Sequence, residues 1–241
     1  MRITVVGSSH GVPEANRKCT CLMVETGGNV YFVDMGTPPI DALRTKGISV
    51  DAVKGVFITH MHGDHTDGLI SFVDLITWYF KTPDPEIFLP DPSAGEVINA
   101  WLKVTQNDDQ KAIRYRKTEA GLLFDDGSIR MTAYPTQHCP GAFSYLLEAE
   151  GKRVLFTGDL KTPGVDFPVA ALDRPVDLMV CEGAHFFATE YLPVLEGKAV
   201  AKVCVSHYSN KRLASVLQLQ KELEEKGVPT VLATDDLELT V

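Results

Sequence analysis

The sequence predicts a layered α/β sandwich. Three features point to it: short apolar runs that end on glycine or polar loops, a stretch of period-two alternation through the middle of the chain, and amphipathic helical segments between and after the strands. The chain has 241 residues, of which 44% are hydrophobic and 23% charged. That is ordinary globular composition and excludes bulk disorder. At roughly 150 residues per domain, the length alone allows one domain or two.

Taken in order, Ile3 to Val6 is a strand ended by Gly7. Leu22 to Glu25 and Val30 to Val33 flank Gly27-Gly28-Asn29, a hairpin signal. Thr37-Pro38 caps a helix that runs to about Lys46. Gly55 to Ile58 is a buried strand leading into Thr59-His60. From Gly68 to Phe80 polar Ser71, Asp74 and Thr77 recur in an apolar background, as in a helix buried over most of its circumference. Core packing is expected for Trp78, Tyr79 and Trp101, with the lining of a pocket or a dimer face as the alternative. Prolines at 83, 85, 90 and 92 bracket a strand at Glu86 to Leu89, and Ser93 caps a helix to about Val104. Ala112 to Phe156 reads as antiparallel-type strands with turns at Asp126-Gly127 and Glu150-Gly151. Asp177 to Val180 is a further strand. Asn210 to Lys226 is an amphipathic helix stopped by Gly227, and Thr230 to Ala233 is a last strand.

The charge balance narrows the partners. Against 23 Lys+Arg stand 32 Asp+Glu, a net charge of −9. A general grip on a nucleic-acid backbone needs clustered cations, so stable nucleic-acid binding is not expected. A local metal-centred site remains open. No apolar stretch reaches the roughly 18 residues of a membrane span, and the start lacks a secretory apolar core, so no membrane association is expected. Five cysteines, an odd number, fit reduced thiols and a cytoplasmic protein. Cys19 and Cys21 read as thiols on a strand face, because no second cysteine pair completes a metal site.

The strongest signal is Thr59-His60-Met61-His62-Gly63-Asp64-His65, four potential ligands within six residues after an apolar strand. Imidazole and carboxylate together suit Zn²⁺, Mn²⁺ or Fe. In an extended chain His60 and His62 point the same way and can share one ion. A tight turn at Gly63 would then re-aim Asp64 and His65 toward a second position.

This motif resembles the His-x-His-x-Asp-His signature of the metallo-β-lactamase fold family. The family's other stations appear in order: Asp34 after Tyr31-Phe32-Val33, His138 after Met131 to Gln137, Asp159 after Val154 to Gly158, and His207 after Val203 to Ser206. The resemblance covers nearly the whole chain. It implies a four-layer αββα sandwich, two mixed β-sheets flanked by helices, and one functional unit over residues 1–241. It also implies a hydrolase with two divalent ions, Zn²⁺ first, and a hydroxide between them. His60, His62 and His138 would hold one ion; Asp64, His65 and His207 the other. Asp159 would bridge them, and Asp34 would orient the histidine-rich loop. Asp64 is the family's candidate proton donor to a poor leaving group; His185 and a metal-bound water are the other candidates, and a structural or surface role is the alternative reading of His185.

Gly7-Ser8-Ser9-His10-Gly11-Val12-Pro13, the following Cys19 to Leu22, and Glu182 after Leu178 to Cys181 resemble ribonuclease Z and its phosphodiesterase relatives. Two departures stand out. His138 and Asp159 are only 21 residues apart, which leaves no room for the long transfer-RNA arm of that enzyme. Its His-Ser-Thr-type loop also has no clear match between Asp177 and His207, where His185 in Gly183-Ala184-His185-Phe186-Phe187 is the one histidine before His207. The expectation is therefore hydrolysis of a small phosphodiester, with a small anionic substrate as partner and a homodimer compatible with the sequence. Two alternatives keep the fold: carbonyl-ester hydrolysis of a lactone or thioester, and transfer-RNA 3′ processing. A non-catalytic metal-binding scaffold would more easily have lost ligands, and none is missing.

Overall fold

The computed structural model describes residues 1–107 and 111–241. The elements run β1 (Arg2–Gly7), β2 (Cys21–Thr26), β3 (Asn29–Met35), α1 (Ile40–Thr45), β4 (Val53–Phe57), α2 (Gly63–Leu75), β5 (Glu86–Leu89), α3 (Ser93–Val104), β6 (Arg114–Lys117), β7 (Gly121–Asp125), β8 (Arg130–Pro135), β9 (Phe143–Ala149), β10 (Lys152–Phe156), α4 (Pro163–Asp166), β11 (Leu178–Gly183), α5 (Tyr191–Leu195), β12 (Val203–Tyr208), α6 (Leu213–Glu225), β13 (Thr230–Leu232) and β14 (Leu237–Thr240).

Two seven-stranded mixed sheets form, in the orders β14-β1-β2-β3-β4-β5-β6 and β13-β12-β11-β10-β9-β8-β7. Strand alternation builds the layers. Ile3, Val5, Leu22, Val24, Tyr31 and Phe57 face Met131, Tyr145, Leu147, Val154 and Phe156 between the sheets. The opposite residues of the first sheet, such as Val6, Met23, Phe32 and Val56, pack under α1, α2 and α3 with Leu43, Leu69, Phe72 and Ile98. Leu155, Met179, Cys181, Val203 and Val205 do the same on the second sheet under α5 and α6, with Tyr191, Val216 and Leu219. The result is the expected αββα sandwich.

Strand direction decides where the loops meet. β1 and β3 are both antiparallel to β2, and β4 is parallel to β3. β8 and β10 are both antiparallel to β9, and β11 and β12 run parallel to β10. Within each sheet, the loops that follow these strands therefore leave from one edge, where parallel-strand folds place their ligands.

Several sequence expectations are corrected. The helix expected from Gly68 starts at Gly63, with His62 in the capping position, and ends in a π-helical turn at Ile76–Phe80. Asp64 and His65 thus sit in a helical first turn rather than beyond a tight turn at Gly63. The motif hid this start, because its polar residues break the apolar period. Trp78, Tyr79 and Trp101 are 42%, 58% and 52% exposed rather than packed in the core. α1 begins at Ile40, with Pro39 at its cap and no side-chain cap bond. The Ser93 N–H is capped by the Asp91 carboxylate at 2.9 Å, so Ser93 is capped rather than capping. β6, expected among antiparallel strands, pairs parallel to β5 in the first sheet. β14, absent from the sequence reading, pairs with β1.

Among the described residues, no helix is long and apolar enough to cross a membrane. All five cysteines are free, with Cys21, Cys181 and Cys204 buried.

Candidate metal centre

The loops at this edge bring together His60, His62, Asp64, His65, His138, Asp159, His185 and His207, with Asp34 beneath them. Three of the supporting backbones are held in the left-handed region: Asp34 at φ 59°, Gly158 at φ 56° and His207 at φ 45°. Such conformations cost about 1–3 kcal/mol each for a side-chain-bearing residue and persist where surrounding contacts over-determine them. Gly158 is required as glycine, since a Cβ there would lie 2.9 Å from the Phe143 carbonyl oxygen and 3.0 Å from Thr59.

Asp34, only 3% exposed, organises the histidine-rich loop. Its Oδ1 accepts the Thr59 N–H at 2.7 Å, and its Oδ2 accepts the Thr59 hydroxyl at 2.9 Å. Oδ2 also lies 2.7 Å from His65 Nδ1. A proton on Nδ1 leaves Nε2 free as a ligand atom, the usual arrangement for a metal-binding imidazole. His60 Nδ1 is engaged similarly, 3.1 Å from Thr59 Oγ1.

The inward atoms form two triangles. In the first, His62 Nδ1 lies 2.9 Å from His60 Nε2 and 3.3 Å from His138 Nε2. In the second, His207 Nε2 lies 3.0 Å from Asp64 Oδ2 and 3.3 Å from His65 Nε2, with 3.4 Å from His65 Nε2 to Asp64 Oδ2. Asp159 Oδ2 stands between the two, 3.4 Å from His65 Nε2, 3.7 Å from His60 Nε2 and 3.8 Å from His138 Nε2. Nitrogen ligands about 2.0–2.1 Å from one tetrahedral ion are about 3.3 Å apart, so these edges match metal coordination. A buried atom makes the same point: Asp159 Oδ1 has no hydrogen-bond partner. Leaving buried polar atoms unpaired is costly unless a ligand satisfies them. The donor set therefore fits metal ions.

The protonation pattern follows from this crowding. Burial and then the charge of His65 push the His60 imidazole down to about 2. For His65 burial opposes the proton, but Asp34 and Asp159 outweigh it and hold the ring well above its ordinary value. Burial also opposes ionisation of Asp64 and Asp159. Hydrogen bonds from His207 and His65 win at Asp64, and the charges of His207 and His65 win at Asp159; both carboxyls stay well below the usual range.

His185 joins the cluster from the loop after β11. Its Nδ1 is 2.8 Å from Glu182 Oε2 and 3.6 Å from Asp159 Oδ2. Its ring stacks on His207 at 5.6 Å and meets His138 edge-on at 4.6 Å. Glu182 is 2% exposed. Its carboxylate also accepts the N–H groups of Leu160, Ala184 and His185 at 2.8–3.1 Å, tying the Asp159 loop to the His185 loop. The sequence singled out Glu182 only as part of an acidic loop; a buried glutamate closing an apolar strand was its signal.

A second support had no local signal. Arg17 donates to Ser8 Oγ at 3.0 Å, to the Ser8 carbonyl at 2.6 Å and to the Tyr208 carbonyl at 3.2 Å. Its guanidinium lies 4.1 Å over the Tyr208 ring. Asp235 accepts from the Ser8 N–H and hydroxyl and from the Lys18 N–H. The Ser8 carbonyl in turn accepts the His207 N–H at 3.0 Å. The Gly7 to Pro13 loop is thus clamped over the centre, and a Cβ at Gly11 would lie 3.3 Å from Asp64 Oδ2.

The profile of the family described as anti-Pycsar protein Apyc1 matches residues 1–221. The chain belongs to that family. A ribonuclease Z from Mycolicibacterium paratuberculosis is 26% identical over 192 residues, covering 72% of this chain and 66% of the relative. A ribonuclease Z from Nitrosopumilus maritimus is 28% identical over 152 residues, covering 63% and 50%. The chain thus spans half to just under two thirds of these curated relatives. Among solved structures, the short form of human tRNase Z superposes with TM-score 0.78 at 18% identity, covering 100% of this chain and 99% of that one. The metallo-β-lactamase fold protein YhfI from Bacillus subtilis superposes with TM-score 0.76 at 15% identity, covering 99% of each. A diphosphatase of the PhnP family superposes with TM-score 0.72 at 16% identity, covering 100% and 97%. This member of the Apyc1 family has the metallo-β-lactamase fold.

Proposed function

We propose that the protein is a metal-dependent hydrolase of a small phosphodiester, such as a cyclic nucleotide, working with two divalent ions. The observation that carries this reading is the pair of ligand triangles sharing Asp159. His60, His62 and His138 would hold one ion; Asp64, His65 and His207 the other. The imidazole-rich set at tetrahedral spacing favours Zn²⁺, with Mn²⁺ or Fe as the other fits. Bound there, the ions supply an activated water and stabilise charge developing on the attacked centre.

The chain's own residues do the rest. Two divalent ions outweigh the ligand carboxylates Asp64 and Asp159, so the centre attracts an anion even within a protein of net charge −9. Burial works against a proton on His185, but the Glu182 hydrogen bond and charge outweigh it and raise the imidazole to about 9. His185, hydrogen-bonded to Glu182 at 2.8 Å, stands beside the ligand cluster, where it can give a proton to a leaving oxygen. Asp64, the other expected donor, is held ionised by His207 and His65 and serves the metal instead.

The relatives' names support phosphorus over carbon: ribonuclease Z and a diphosphatase. Between His138 and Asp159 the chain has only the β9–β10 hairpin. That supports a small substrate over transfer RNA, which the ribonuclease Z relatives keep as the second reading.

The test is a side-by-side assay of the metal-loaded protein on a cyclic nucleoside monophosphate, a lactone panel and a transfer-RNA precursor. Turnover of the cyclic nucleotide, abolished in His62→Ala, is expected. His185→Ala should slow an alkoxide leaving group by about 10²–10⁴-fold, and a nitrophenolate, which needs no proton, far less. Turnover of lactones alone, or of no phosphodiester with two ions bound, overturns the reading.

A further inference from the structure

β12 starts at Val203 and reaches the metal centre with His207, about 13 Å further along the strand. Its starting end is therefore at the sheet edge away from the metal ligands. There, between α5 and the end of α6, lies a groove of about 340 Å³. Leu192, Leu195, Val200, Val203, Leu223 and Val228 line it. A second apolar hollow of about 190 Å³, lined by Pro175, Val176, Ala199 and Ala201, meets it at Val200. The groove is of the size of small-molecule sites, about 300–1,000 Å³. Its walls are aliphatic and offer no side-chain hydroxyl, amide or aromatic ring.

Two observations say what fits it. The first concerns the backbone. The N–H groups of Val176, Lys198, Ala201, Val203, Lys226 and Val228 are all bonded to carbonyls of the surrounding loops. A peptide strand draws its affinity from main-chain hydrogen bonds, and these donors are already taken. An alkyl chain needs none, because removing it from water is favourable by itself. The second observation is charge. Lys198 and Lys226 stand at the rim, and neither has an acidic partner among the described residues. Glu196 is the one acid in the lining, so the rim is net positive in a protein of net charge −9. The acids of the last turns of α6 are engaged elsewhere: Glu222 by Gln218, Glu224 by Gln220 and Glu225 by Lys221.

We propose that this groove is a second, non-catalytic site that binds a medium-chain carboxylate. The alkyl chain lies along Leu195, Val200 and Leu223, and the carboxylate meets the Lys198 and Lys226 ammonium groups. The site is separate from the metal centre and does not depend on which reaction runs there.

The test is calorimetric titration of the metal-loaded protein with acetate, hexanoate, octanoate and octanol. Acetate carries the anion without the chain and reads any binding at the metals. Each buried methylene is worth about fourfold in affinity, so octanoate should bind about 15-fold more tightly than hexanoate. Octanol should bind several-fold more weakly than octanoate. That difference should vanish in the Lys198→Gln/Lys226→Gln variant, whose two positions are exposed, and shrink at 1 M salt, where charges are screened within about 3 Å. Val228→Trp fills the groove from a half-buried position and should abolish the dependence on chain length while metal content stays the same. Leucine and valine methyl NMR shifts on adding octanoate locate the chain without any substitution, and Leu195, Val200 and Leu223 are expected to move. Equal affinity for hexanoate and octanoate, equal affinity for octanoate and octanol, or shifts confined to the metal edge overturn the proposal. So does self-association of the protein that Val228→Trp abolishes, since a second copy would then be what covers the groove.

Discussion

Replacing Asp34 by asparagine changes one buried atom and isolates what the carboxylate does. Asp34 Oδ2 accepts from both the Thr59 hydroxyl and His65 Nδ1, at 2.9 and 2.7 Å. In the Asp34→Asn variant one terminal atom is an NH₂ group that can only donate. With Oδ1 kept on the Thr59 N–H, the NH₂ faces His65 Nδ1 and forces the proton to Nε2, the atom that points at Asp64 and His207. The Asp64–His65–His207 triangle then loses a ligand lone pair, while His60–His62–His138 is untouched. Loss of such an outer hydrogen bond typically costs about 10- to 100-fold in metal affinity, which is about 1.4–2.7 kcal/mol. Competition with a chelator, followed by metal analysis per chain, reads both positions. The expected result is one ion weakened 10- to 100-fold, the other unchanged within about threefold, and an unaltered circular dichroism spectrum. Two unchanged affinities would refute the tautomer argument. Equal weakening of both ions in a folded protein would refute the assignment of His65 to its own triangle.

Two further outcomes can be measured. In the metal-free protein His60 takes a proton near its ordinary value of about 6.5 when unfolded but only at about 2 when folded. The unfolded chain binds more protons between those values, so stability should fall as pH drops below about 6.5, by about 2 kcal/mol at pH 5. Thermal melts of the chelated protein should show this slope, and His60→Asn should flatten it; equal slopes in both proteins would remove His60 as its cause. Arg17→Ala removes three hydrogen bonds and the cation stacked on Tyr208. A destabilisation of about 2 kcal/mol is expected, lowering Tm by about 4–8 °C, with weaker binding at the ion held by His207. An unchanged melt would mean that the clamp does not hold the β12 end.

Much of the fold was legible because strands and helices carry their period locally. The hairpin at Gly27-Gly28, β4, β5, α3 and α6 follow from neighbouring residues alone. The errors fall where a local rule loses to a longer-range one. The start of α2 was hidden because function fills its first turn with polar residues. The exposed Trp78, Tyr79 and Trp101 defeat composition, which records that a residue is apolar but not what covers it. β6 and β14 are short, and their partners lie elsewhere in the chain.

For the centre, the division is sharper. The sequence by itself determined the chemical inventory, because histidines and aspartates at strand ends in the right order are readable one residue at a time. It also determined the net charge of −9 and the short interval between His138 and Asp159. Tertiary structure decided which atoms face each other: the 2.9–3.4 Å triangles, the Glu182 carboxylate under His185, and the Arg17 and Asp235 clamp on the loop that receives His207. Those partners lie from 2 to 227 residues apart in sequence, and only the direction of strands in two packed sheets brings their ends to one edge. No period in the chain encodes that meeting, because it depends on the sum of all the pairings.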